Sequence, residues 1–342
     1  MCRIIFGGVI KSMAGVILPM GEPLIQTFNE YGNFFSIIHQ ESNMNYKKLI
    51  IQYFTNLYCV PDEYSKYENI FSFYPSRHTQ LLRDCPLLQS QLYMRSEFIN
   101  QEKSIISKFI KLIDQGHYVT LYVDLYYLPC SEVYQKYHLN HKIMIHGYET
   151  GKKKFLVSDT FRSFKYASDE ILYSEFEQAF YGFDRAKNKR ESRIVATKFR
   201  DQEIVIDVHN LRESLKNFYA VDKSVPYVSG YHVYDLLEKG IENKGYLHPQ
   251  SIKVLCEHIG FTIERAKLLQ ELNIISLGKQ EWKCLNGLVI QSKNMCNLYL
   301  KCIVLYELRP DEEFKHRLMN YIKQVKKTHI DVIQTLVRKM IM

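Results

Sequence analysis

Residues 141–159 constrain this chain most, because their alternation fits a β-hairpin and that hairpin sets a histidine beside an aspartate. Ile143 and Ile145 alternate with Lys142, Met144 and His146. Phe155 and Val157 alternate with Lys154, Leu156 and Ser158. A period of two marks half-buried strands. Glu149-Thr150-Gly151 reads as a three-residue loop with Gly151 in the left-handed position. Closing it pairs Tyr148 with Lys152, Ile145 with Phe155, Ile143 with Val157 and His141 with Asp159. Apolar matching on one face is what fixes register, and opposed Cβ atoms lie about 4.5–5.5 Å apart. Asp159 can then hold the His141 imidazole in one tautomer and support its protonated form, the base-and-orienter half of a catalytic triad. The same spacing also suits an ordinary hairpin with a polar pair at its rim.

Other helical and strand patterns surround this hairpin. A helical stripe covers 45–58, ended by Pro61, and residues 61–96 read as irregular. A helix is expected over 97–115, stopped by Gly116, then a strand over 118–124. A third hairpin strand is expected over 161–166, a helix over 168–181 capped by Ser168, and short strands over 193–198 and 203–208. Beyond residue 210 the pattern is helical, over about 210–219, 231–240, 249–259, 261–273, 292–308 and 311–339. The last has a core-facing stripe suited to packing or homo-oligomerisation. This predicts an α+β fold: an antiparallel-sheet domain, then a mainly helical one.

Charge and cysteine usage narrow the functions. The net charge is +8. Part of the excess is local: Arg185, Lys187, Lys189, Arg190, Arg193, Lys198 and Arg200 face a single acid, Glu191. Such a run suits either a solvated inter-domain loop or the docking of an acidic protein. It lacks the interleaved aromatics and motif of a nucleic-acid binder. The eight cysteines form no C-x-x-C pair, so zinc knuckles and thioredoxin-like motifs are not expected, nor any metal or cofactor. Apolar runs at 4–10 and 13–20, split by Lys11, are too short to span a bilayer, and no clean cleavage site follows. The expectation is a cytoplasmic protein with reduced thiols and no membrane partner. Met13 and Met20 are alternatives to Met1 as the first residue.

Gly116-His-Tyr-Val-Thr-Leu-Tyr-Val-Asp-Leu-Tyr-Tyr-Leu-Pro129, then His138-x-x-His141, the apolar strand into Gly147-Tyr148, and Phe155-x-x-x-Asp159 together resemble the N-terminal domain of the butirosin-biosynthesis protein H family. The resemblance is most specific over 116–181 and looser around Leu18-Pro-Met-Gly-Glu-Pro23 and Glu257-His258. It implies a papain-like fold related to bacteriocin-processing cysteine peptidases, over about 18–190, with 191–342 as short strands and a helical domain. It implies His141 as base, Asp159 as orienter, and a cysteine nucleophile near the start of the first helix. It also implies acyl transfer from a carrier protein to a small natural product, in bacterial nonribosomal-peptide or polyketide assembly.

The departure is at the nucleophile. The stretch 30–39 contains no cysteine, and Asn33 occupies the expected position. An amide forms no thiolate. Ser36 lies a helix turn away. Cys85, in Arg83-Asp-Cys-Pro86, sits in a loop that could fold over the site; the alternative is a buried thiol packed as a small hydrophobe. Three functions follow as expectations. One is an enzyme that uses His141 and Asp159 as a general base on a carrier-bound acyl or peptidyl thioester, its acidic carrier or synthetase docked on the basic run. Another is an inactive papain-like scaffold that binds a synthetase, a carrier or a small product. The third, a cysteine peptidase, suffers most from the missing thiol.

Overall fold

Alternation becomes pairing in a nine-stranded antiparallel sheet. The computed structural model describes residues 4–6, 9–12, 15–39, 44–61, 69–73, 82, 85–99, 104–162, 165–183, 193–200, 202–220, 228–242, 250–305 and 312–340. Two units divide the chain. One is Met1–Tyr46 with His78–Glu203, the other Lys47–Arg77 with Ile204–Met342. The expected boundary at 190/191 is thereby revised: the strand after the basic run stays with the sheet, and residues 47–77 join the helices instead.

Elements are numbered in chain order. The sheet unit contains β1 Ile4–Phe6, β2 Val9–Ser12, β3 Gly15–Ile17, α1 Asn29–Ile38, β6 Leu88–Met94, α3 Arg95–Ile99, α4 Ile105–Asp114, β7 Tyr118–Asp124, β8 Asn140–Glu149, β9 Lys154–Arg162, β10 Lys165–Leu172, α5 Tyr173–Gly182 and β11 Arg193–Phe199. The order runs β1-β2-β3-β8-β7-β11-β6, and β9 joins β8 to β10. The ten residues of β8 pair with β7 and then β3 along one edge, and with β9 along the other. This length makes β8 the spine of the unit. Its near-continuous burial from Ile143 to Tyr148 follows from its central place in the sheet and from α1 and α4, which both pack against it.

Helices α4 and α5 cover this sheet through aromatic side chains. Ser104 caps α4 by accepting from the Ile106 N–H, and Gly116 takes φ +83° just beyond its end. Phe109 meets Phe155, Phe176 and Phe180 at ring separations of 5.0–6.3 Å. Each ring is fully buried, a contribution of about 1.5–3 kcal/mol apiece. Arg95 is buried with them, donating to the Phe180 and Tyr122 carbonyls while its guanidinium lies over the Phe180 and Phe183 rings.

Several local expectations change. The helix expected over 97–115 is two helices. Residues 61–96 include strand β6 as well as Asn69–Ser72. Ser168 lies inside β10, so α5 begins at Tyr173, and residues 203–208 form no strand.

The second unit contains a three-stranded sheet of β4 Tyr58–Pro61, β5 Asn69–Ser72 and β12 Val228–Ser229. Its helices are α6 Val208–Lys216, α7 Val233–Glu242, α8 Ser251–Glu271, α9 Lys279–Leu305 and α10 Glu312–Lys339. α2, Met44–Gln52, begins just before the unit boundary. α10 buries Phe314, Leu318, Ile322, Val325, His329, Val332, Ile333, Leu336 and Val337, the stripe read from sequence. Fully buried Arg265 of α8 finishes α2 from outside. Its guanidinium donates to the carbonyls of Ile50, Ile51, Tyr53 and Phe54 at 2.6–3.3 Å. A cation suits these carbonyls because a helix C-terminus leaves them unpaired and partially negative.

Candidate active site

The sheet brings His141 and Asp159 together, by a register different from the expected one. β8 pairs Met144 with Ser158 and Ile145 with Val157, then shifts at a bulge so that Gly147 meets Leu156 and Glu149 meets Lys154. The loop is Thr150–Lys153, with Lys153 rather than Gly151 at φ +51°. Continuing the ladder sets Asp159 opposite Ile143, so the pairing is displaced by two residues from the expected one. A shift of two keeps every side chain on its own face. His141 and Asp159 are thus diagonal neighbours, within reach of each other. The His141 Nδ1 and Asp159 Oδ2 atoms are 2.7 Å apart.

Burial differs sharply across this pair. The Asp159 side chain is fully buried and that of His141 is 33% exposed. Burial works against the imidazolium. The Asp159 charge, its hydrogen bond and the Glu30 charge outweigh burial and the opposing Lys142 charge, so the His141 pKa is raised above 6.5. With Nδ1 committed to Asp159, Nε2 is the nitrogen left to exchange a proton.

The N-terminus of α1 docks beside this pair. Asn29 Nδ2 donates to the Lys142 carbonyl at 2.7 Å, and Lys142 Nζ reaches Glu30 at 3.0 Å. The positive end of the α1 dipole therefore lies one residue along β8 from His141. Helix α1 starts at Asn29, not at Gly32-Asn33 as expected. Asn33 is one turn inside and fully buried; its Oδ1 accepts from the Tyr166 hydroxyl at 2.8 Å, and its Nδ2 has no partner among the described residues. Gly32 lies so close to the Tyr166 ring that a Cβ there would sit 2.3 Å from it. The residue at the helix tip is Asn29.

Cys85 does not reach the site. β7 pairs Val123 with His141 at one end and Tyr118 with Thr197 at the other, and Phe199 pairs onward with Leu88. Cys85 precedes that far end, bonded through its carbonyl to the Leu88 N–H. The five steps from Tyr118 to Val123 span about 17 Å. Burial pushes the Cys85 thiol up to about 12. Cys59 and Cys130 are also pushed to about 12, chiefly by burial. None of the three is a thiolate at neutral pH.

Neither comparison names a relative. No protein-family model matches the chain, and no curated protein matches it.

Sequence reasoning missed a second histidine–carboxylate pair. Asp124 ends β7, accepts from the Tyr126 and Leu139 N–H groups at 3.0 and 3.1 Å, and bonds His138 Nδ1 at 2.6 Å. His138 stacks on Tyr126 with ring centres 4.3 Å apart and is 61% exposed. The His138-x-x-His141 spacing and an aspartate ending the preceding strand were its signal. Of the basic run, Arg185, Lys187, Lys189 and Arg190 lie outside the described residues, and Arg193 is exposed on β11. Among the described residues, no group of three or more histidine, cysteine, aspartate and glutamate side chains is placed to hold a metal ion. Among them, too, no helix is long and apolar enough to cross a membrane.

Proposed function

We propose that this chain is an accessory protein of bacterial nonribosomal-peptide or polyketide assembly, with a papain-like sheet unit that acts on a carrier-bound acyl or peptidyl thioester without a cysteine nucleophile. One observation carries the reading: a partly exposed histidine, bonded at 2.7 Å to a fully buried aspartate, beside the N-terminus of a buried helix. A histidine on one strand, an aspartate on the next and a helix tip beside them are the parts the family resemblance implies. In this reading Nε2 of neutral His141 takes a proton from an amine or water as it attacks the thioester carbonyl. The imidazolium, held by Asp159, returns that proton to the departing thiolate. The α1 N-terminus, docked on β8 through the Lys142 carbonyl, adds positive potential near the reacting carbonyl. The basic run that includes Arg193 docks the acidic carrier, and the reaction is cytoplasmic.

Asn29 and Asn33 favour a second reading, an inactive scaffold. Both side chains are buried, and each is tied to the sheet by a hydrogen bond where an attacking group would need freedom. Incubating the protein with acyl-carrier thioesters and an amine acceptor, and following carrier mass, separates the two. Turnover that falls by at least about 100-fold in His141→Ala and Asp159→Asn supports the base. Carrier binding without turnover, equal in both variants, supports the scaffold.

A further inference from the structure

The helical unit contains a pair of thiols that the site above does not use. Cys256 lies on α8 and Cys296 on α9, two helices that pack together. Cys256 Sγ donates to the Ser292 carbonyl at 3.3 Å. That carbonyl begins the helical turn that ends at Cys296, so the Cys256 sulfur lies directly over the turn carrying the other thiol. The two thiols also shift one another's titration, Cys256 upward and Cys296 downward. Both are free and neither is sealed in the core. By contrast, Cys59, Cys85 and Cys130 are each buried.

We infer that Cys256 and Cys296 form a redox-active dithiol, which a hydroperoxide converts to a disulfide that staples α8 to α9. Their roles are unequal. The neighbouring Cys256 thiol, aided by the Lys253 charge, lowers the Cys296 pKa against burial and Glu257. Cys296, burial and Glu257 together raise that of Cys256. Cys296 is therefore the attacking thiolate and Cys256 the resolving thiol.

In the first step the Cys296 thiolate attacks one peroxide oxygen. A sulfur–oxygen bond forms, the O–O bond breaks, and the departing hydroxide takes up a proton to leave as water. In the second step Cys256 sulfur attacks the Cys296 sulfenic acid. The S–S bond forms, and the sulfenic oxygen leaves as water with the Cys256 thiol proton. Two electrons pass from the two sulfurs to one hydroperoxide.

The test uses the full chain, hydrogen peroxide as the probe, and peptide mapping by mass without reductant. The expected result is one cross-linked species, 2 Da lighter than its two peptides, that joins the Cys256 and Cys296 peptides and is reversed by dithiothreitol. The urea midpoint read by Trp282 fluorescence should rise on oxidation and return on reduction. Cys256→Ser should instead trap a sulfenic acid at Cys296 that a dimedone-type reagent captures, whereas Cys296→Ser should give no adduct at position 256. If Cys284 or another thiol oxidises first while Cys256 and Cys296 stay free, or if the pair fails to cross-link in folded protein, the inference is overturned.

Discussion

Mild acid should weaken the helical unit through two histidines buried in its core. His258 and His329 are fully buried with ring centres 5.2 Å apart, and both pack on Phe218. The groups facing them do not welcome a proton. Tyr234 hydroxyl bonds His329 Nδ1 at 2.9 Å, and burial, then the His329 and Arg265 charges, lower His258 against the Thr55 carbonyl that its Nε2 meets at 3.3 Å. Burial pushes His329 down to about 3. Since both folded values lie below the unfolded 6.5, the unfolded chain binds protons first as pH falls. The stabilising contribution is complete above pH 6.5 and is lost on descent toward the folded values. At pH 5, one and a half units below 6.5, His329 alone removes about 2 kcal/mol, at roughly 1.4 kcal/mol per unit. With a urea slope of about 2 kcal/mol/M, the midpoint should drop by about 1 M between pH 7 and pH 5. Trp282 is the chain's single tryptophan and lies on α9, where its Nε1 donates to Gln270, so its fluorescence reports this unit. His329→Gln should cut the pH 7 to pH 5 difference by at least about 2 kcal/mol, because its own titration is lost and so is the charge that further lowers His258. An undiminished difference in that variant would refute the reasoning.

Three further outcomes are expected. By NMR, His141 should titrate above 6.5, and Asp159→Asn should bring the midpoint down; because the folded value is raised, this pair stabilises fully below 6.5 and less as pH rises through the folded value, and an unmoved midpoint would exclude the Asp159 contribution. Arg265→Met should cost about 3–5 kcal/mol in urea unfolding followed by Trp282, since four carbonyls lose their donor; a loss below about 1 kcal/mol would mean that they find others. Asn29→Cys, at the tip of α1, should alkylate faster at pH 7 than Asn33→Cys, which is buried a turn deeper, and equal rates would contradict the site geometry.

The His141–Asp159 contact was legible in the sequence even though its register was not. Period-two alternation assigns faces, and the faces survive a slip of two. Apolar matching could not choose, because Ile145 finds an apolar partner whether it meets Phe155 or Val157. The bulge after Ile145 and the left-handed Lys153 have no local signature beside Gly147 and Gly151. Helical stripes beyond residue 210 were legible as well, through their 3.6-residue period, although α8 runs unbroken where two helices were expected. Strands β3 and β6 were not, being set by their neighbours β8 and β11 rather than by their own alternation. The α1 start was misplaced by a turn because Asn29-Glu30 and Gly32-Asn33 both resemble helix openings.

Arg265 gives the chain's order of synthesis a consequence of its own. Ile51 leaves the ribosome 214 residues before the guanidinium that closes its helix. At about 5–20 residues per second, α2 waits roughly 10–40 s for that guanidinium. In between, the whole β6–β11 portion of the other unit emerges, and it can complete its sheet while α2 is still unfinished. A nascent chain stalled short of residue 265 therefore carries a finished spine strand in one unit and, in the other, a helix whose last carbonyls face water.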